Sequence, residues 1–173
     1  MNQLTIDTLR INMSHFNAEL FGKSLHECSD HSSYDRFINF VSNEVFSQED
    51  GRSFFVDDPK CRGFEAIISV LSESHNLKQD KTKSDEINDN VYLCKAALQL
   101  LGMLMSDQNF FMQYKDQVID QYILSNLLSQ PTNRNLHEQD KALLTVASLE
   151  AITLMLKHQY ALTYLINEKN LLS

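Results

Sequence analysis

Four Gly and two Pro among 173 residues are the tightest constraint on what this chain can fold into. Average usage is roughly 7% Gly and 5% Pro, and a β-sandwich consumes turn-formers at every hairpin. All-β and Rossmann-type folds are therefore disfavoured at the outset. Apolar residues make up 43% of the chain and include ten Phe and six Met. That is enough to fill a core and argues against intrinsic disorder. The length fits one ordinary domain, or about three to four helical repeats of ~40 to 47 residues.

Hydrophobic spacing then predicts helices along most of the chain. Leu9, Met13, Phe16 and Leu20 recur at steps of four, three and four within residues 4–21, one face of a helix. Phe37, Ile38, Phe40, Val41 and Val45 give another, and Phe64, Ile67, Ile68 and Leu71 a third after Gly63. From Asn90 onward, Val91, Cys94, Ala97, Leu98, Leu101, Leu104 and Met105 form an amphipathic stripe. Residues 107–129 read as two shorter helices, stopped by Pro131, with a polar loop at 130–135 in which Asn135 or a neighbour caps the next helix. In 139–157 apolar side chains surround nearly the whole circumference, so this helix is expected to be the most buried of the chain. Two stretches break the pattern: 49–62, with Gly51, Pro59 and three Asp, and a polar loop at about 74–90. The expectation is a single all-α domain over 1–173 with seven or eight helices.

Charge and motifs narrow the function. Fifteen Lys and Arg against 23 Asp and Glu leave a formal charge of −8. That opposes attachment to nucleic-acid phosphates or anionic lipid. No run reaches the ~18 apolar residues of a membrane span, and residues 1–10 contain no apolar signal region. Three widely spaced cysteines without CxxC suit reduced thiols, so an intracellular location, cytoplasmic or nuclear, is expected. His26, Cys28 and His31 form the densest group of potential metal ligands, but a His-x-Cys-x-x-His triplet lacks the second half that zinc sites need. The acidic residues show neither a calcium-loop alternation nor a placed carboxylate pair, and no phosphate-cradling loop, GxSxG or HExxH occurs. A non-catalytic protein without cofactor is expected. An enzyme or metal-dependent protein built on His26, Cys28 and His31 is the alternative.

The chain also resembles itself. Ala96, Leu98, Met103, Leu104, Met105 and Gln108 align without a gap on Ala147, Leu149, Leu154, Met155, Leu156 and Gln159. A polar corner follows each copy, at 106–109 and 157–159, and then another apolar helix begins. The stretches 96–104 and 149–156, with 165–172 after them, resemble armadillo repeats, a pattern that HEAT repeats and irregular helical bundles share. The resemblance covers residues 90–173 and, more loosely, 64–71. It implies an armadillo-like α-solenoid or irregular helical-repeat bundle, with repeats over 64–173 and residues 1–48 as N-terminal capping helices. It also implies a concave groove, lined by third helices, that binds peptides or helices of another protein. Where peptide-gripping members carry an Asn, this chain has Gly102 and Thr153, and it has no Trp. That argues against nuclear-import-type recognition of basic peptides.

On this alignment Lys95, Gln99, Gly102 and Ser106 carry over to Val146, Glu150, Thr153 and Lys157. Lys95, Gln99, Gly102, Ser106, Glu150, Thr153 and Lys157 are thus the candidate partner-binding residues. A scaffold or adaptor function follows as the expectation. Its rival is self-association in a larger assembly through a C-terminal face bearing Leu162, Leu165, Ile166, Leu171 and Leu172. The end at Ser173, just past a repeat junction, suits a piece of a longer solenoid or a last face covered by a partner.

Overall fold

The computed structural model describes residues 1–20, 31–73, 89–129 and 136–167, with side chains at 1–13, 34–72, 90–129 and 136–167. Among these residues the protein is all-helical and contains no strand. The N-terminal helix α1 (Gln3–Leu20) opens with the Asn2 carboxamide accepting from the Thr5 amide at 2.9 Å. Leu9 and Met13, the two described members of its predicted stripe, are fully buried. The next helix, α2 (His31–Phe40), runs into a π-helical segment at Val41–Val45.

A short helix, α3 (Gly51–Asp57), then occupies the stretch that the sequence reads as a break. Polar and turn-forming residues outnumber the apolar ones over 49–62, which hides the anchor: Phe55 is completely buried and meets Phe46 edge to face at 5.3 Å. Gly51 is required at its start, because a Cβ would lie 1.8 Å from the Val45 carbonyl oxygen. Asp58 organises the following turn. Its carboxylate accepts from the Lys60 and Cys61 amides and takes the Arg10 guanidinium of α1 through two hydrogen bonds, 3.2 and 2.6 Å. The Arg10 hydrogen bond, foremost among several causes, holds the Asp58 carboxyl below its ordinary range. Burial, with Asp58 adding to it, pushes the neighbouring Cys61 thiol up to about 12, which favours the protonated thiol.

Helix α4 (Gly63–Glu73) leads to the centre of the molecule, α5 (Asp89–Met105). Eleven of its residues between Val91 and Met105 are buried, Cys94 among them. It packs on α2, on α4, on the following α6 (Gln108–Val118) and most extensively on α8 (Glu138–Leu156). Asp107 caps α6, its carboxylate accepting from the Phe110 amide at 3.0 Å. A second π-helical segment, Ile119–Leu124, joins α6 to α7 (Ser125–Ser129), so the two helices predicted over 107–129 form one run with a widened middle. Asn135 lies outside the described residues, and α8 begins after His137 with Glu138 and Asp140 in its first turn, where acidic residues suit the helix dipole. The last helix is α9 (Gln159–Asn167).

The expectation that 139–157 is the most buried helix is corrected: that helix is α5. In α8 the buried positions are Asp140, Leu144, Ala147, Ser148, Ala151 and Met155, a single stripe turned toward α5. Val146, Leu149 and Leu156 on its other side are 50%, 48% and 40% exposed. Apolar character all around a helix shows how much of it avoids water, and a face left for something outside the chain satisfies that pattern as well as a core does.

The two aligned segments do share their boundaries. Both α5 and α8 end in a two-residue corner, and α6 and α9 start at corresponding positions. Gln99 touches Glu150, Gly102 touches Ala151 and Leu154, and Ser106 touches Tyr160, so α5 and α8 run side by side in the same direction. The N-terminal helices and the C-terminal ones feed one hydrophobic cluster, from Leu9 to Leu165.

A candidate docking groove between α5 and α8

The crossing of α5 and α8 is close because Gly102 allows it. A Cβ there would sit 2.7 Å from the Ala151 Cα and 3.0 Å from the Ala151 Cβ. Small residues on both helices bring the backbones together at that point, and larger ones push the surface outward on either side. The result is an open groove of about 450 Å³ lined by Gln99, Met103, Val146, Leu149, Glu150, Thr153 and Leu154. Its floor and walls are apolar, supplied by Met103, Val146, Leu149 and Leu154, while Gln99, Glu150 and Thr153 stand along it as polar groups. Val146, Leu149, Thr153 and Leu156 follow one another at steps of three, four and three, so they make a continuous stripe along α8.

Three of the seven candidate residues, Gln99, Glu150 and Thr153, line this groove. Gln99 donates from Nε2 to Glu150 at 3.3 Å, which ties the two helices together at the rim. The Thr153 hydroxyl donates to the Leu149 carbonyl at 2.8 Å. Lys157 is exposed at the C-terminal end of α8. The other three sit elsewhere. Gly102 is buried beneath the groove in the helix crossing. Ser106 belongs to the corner after α5: its hydroxyl donates to the Met103 carbonyl, and its own carbonyl accepts from the Tyr160 hydroxyl at 2.6 Å. Lys95 turns toward α2, pairs with Asp35 at 3.2 Å and lies over the Tyr92 ring at 5.9 Å. Leu149 and Leu154 are groove residues that the sequence places on a helix packed on several sides, and Met103 is one that lies off the predicted stripe of α5. The available signal was the excess of apolar positions on α8 over what one packed face needs.

His26 and Cys28 lie outside the described residues, as does the His31 side chain, together with Leu171 and Leu172 of the expected C-terminal face. Among the described residues no group of three His, Cys, Asp or Glu side chains is placed to hold a metal ion. No helix among them is long and apolar enough to cross a membrane. On the C-terminal face, Leu165 is buried, Leu162 half-buried and Ile166 40% exposed. Comparison with family models, with curated proteins and with solved structures returned no match.

Proposed function

We propose that the protein is a non-catalytic interaction module, a scaffold or adaptor of the cytoplasm or nucleus, which seats a helix or peptide of another protein in the groove between α5 and α8. The second apolar stripe of α8 carries this reading. Val146, Leu149 and Leu156 expose large apolar surface next to a groove already floored by Met103 and Leu154, and contiguous exposed apolar surface of this kind marks interaction sites. An armadillo-like stacking of the two helix–corner–helix units is part of the same proposal. Its support is the shared boundaries, the side-by-side course of α5 and α8, and a concave line at their junction, which is where stacked helical repeats present their binding surface.

Self-association is the second reading, favoured by the exposure of Leu156 and Ile166 near the C-terminal end. One variant separates the two. Leu149→Glu places a charge on an already exposed position, so the melting temperature is expected to stay within a degree or two of the wild type. Cross-linking of a photoreactive group at position 146 to a partner protein is expected to be lost in this variant, while light scattering over a concentration series stays that of a monomer. Concentration-dependent growth of the wild type that survives Leu149→Glu supports assembly through the C-terminal face instead. A strictly monomeric protein with no cross-linked partner sinks both readings.

A further inference from the structure

The polar groups at the groove rim say what kind of partner fits. Glu150 is exposed and accepts from Gln99, and no cation pairs with it among the described residues. Beside it, the Gln99 Oε1 is enclosed and accepts no hydrogen bond. The rim therefore presents one carboxylate without a counter-charge at the edge of an apolar floor. The whole chain carries a formal charge of −8, which adds a long-range preference for a basic guest.

From this we infer that the groove receives an amphipathic helix of another protein that inserts apolar side chains between Met103, Leu149 and Leu154 and sets an arginine against Glu150. This rests on the groove being the interaction surface proposed above. A helix fits because the α8 stripe from Val146 to Leu156 repeats at helical spacing over about three turns, which suits guest anchors at i, i+3 or i+4, and i+7. Arginine fits because its planar guanidinium takes a carboxylate through two parallel hydrogen bonds and still has donors left over. A second copy of this chain fits less well, since it would bring another strongly negative molecule against a rim whose carboxylate already lacks a counter-charge.

The test is a phage-displayed library of helical peptides panned on the full chain. Enriched sequences are expected to share apolar residues at helical spacing with an arginine on the flank. A synthetic peptide of that sequence is expected to bind Glu150→Arg at least tenfold more weakly, with the melting temperature of the variant unchanged. Exchanging the peptide arginine for glutamate is expected to restore binding to Glu150→Arg. Enriched peptides without a basic flank, or binding indifferent to Glu150→Arg, overturn the arginine assignment. If those peptides are nevertheless lost on Leu149→Glu, the groove remains the interaction surface and only the partner chemistry is wrong. If no peptide is enriched, or binding survives Leu149→Glu, both ideas fail. A dimer of the chain that dissociates on Leu149→Glu makes a second copy the occupant and also overturns the inference.

Discussion

At the scale of single residues, Gly102 separates what a sequence declares from what it conceals. Its place on the stripe of Lys95, Gln99 and Ser106 suggested a surface residue, because Gly contributes nothing apolar to the helical pattern. The structure puts it under the groove, where the missing side chain is the reason two helices can cross at all. Gly102→Ala tests that role through two opposing effects. Alanine gains roughly 1 kcal/mol of helix propensity over glycine. Overpacking a close contact costs about 1–3 kcal/mol, and here the atom in the way is the Ala151 Cα, which cannot rotate aside. We expect the melting temperature to fall by a few degrees and the groove to widen. A variant that melts higher than the wild type would mean that α5 and α8 do not cross at this residue. By contrast Cys94, placed in the core by its position on the apolar stripe, is 2% exposed, because a regular helical repeat fixes which side a residue faces.

At the scale of elements, the positions of the long helices and the inward stripe of α5 were legible, and the relative burial of α5 and α8 was not. The stripe beginning at Val91 predicts α5, and the apolar run over 139–157 predicts α8. Neither pattern says which helix has neighbours on every side, since that depends on how the other elements are arranged around it. The short α3 was hidden for a related reason: its local composition is that of a loop, and the burial of Phe55 against Phe46 outweighs it. Two truncations separate core from groove. Leu101 on α5 is fully buried, and Leu101→Ala is expected to cost about 2–5 kcal/mol. Leu149 on α8 is 48% exposed, and Leu149→Ala is expected to cost about 0.5 kcal/mol or less. Denaturant melts of both variants measure the contrast. Equal losses would show that the outer stripe of α8 is covered within the chain, and the groove could not then be a docking surface.

For the whole molecule, the question is whether stacked units behave as an array or as one body. Long repeat arrays lose cooperativity when each unit contacts only its neighbours, and they then unfold in stages. This chain has a different arrangement. A single helix, α5, packs on α2, α4, α6 and α8. The Arg10 to Asp58 ion pair fastens α1 to the turn before α4, and Tyr164 on α9 donates to Asp116 on α6 at 2.6 Å. Residues from Leu9 to Leu165 thus share one cluster, and removing either end exposes part of the same core. We therefore expect a single unfolding transition. Six tyrosines and no tryptophan make the measurement simple. Tyr34 lies near one end of the chain and Tyr164 near the other, both buried. Tyrosine absorbance reports packing along the whole length, while far-ultraviolet circular dichroism reports helix. Their urea midpoints are expected to coincide, and Leu101→Ala is expected to move both together without splitting them. A tyrosine transition that precedes loss of helix, or two resolved steps in either signal, would show that the N-terminal helices and the α5 to α9 units unfold separately. In that case the shared cluster does not couple them, and a groove formed at the α5 and α8 junction would respond to partner binding without help from the N-terminal half.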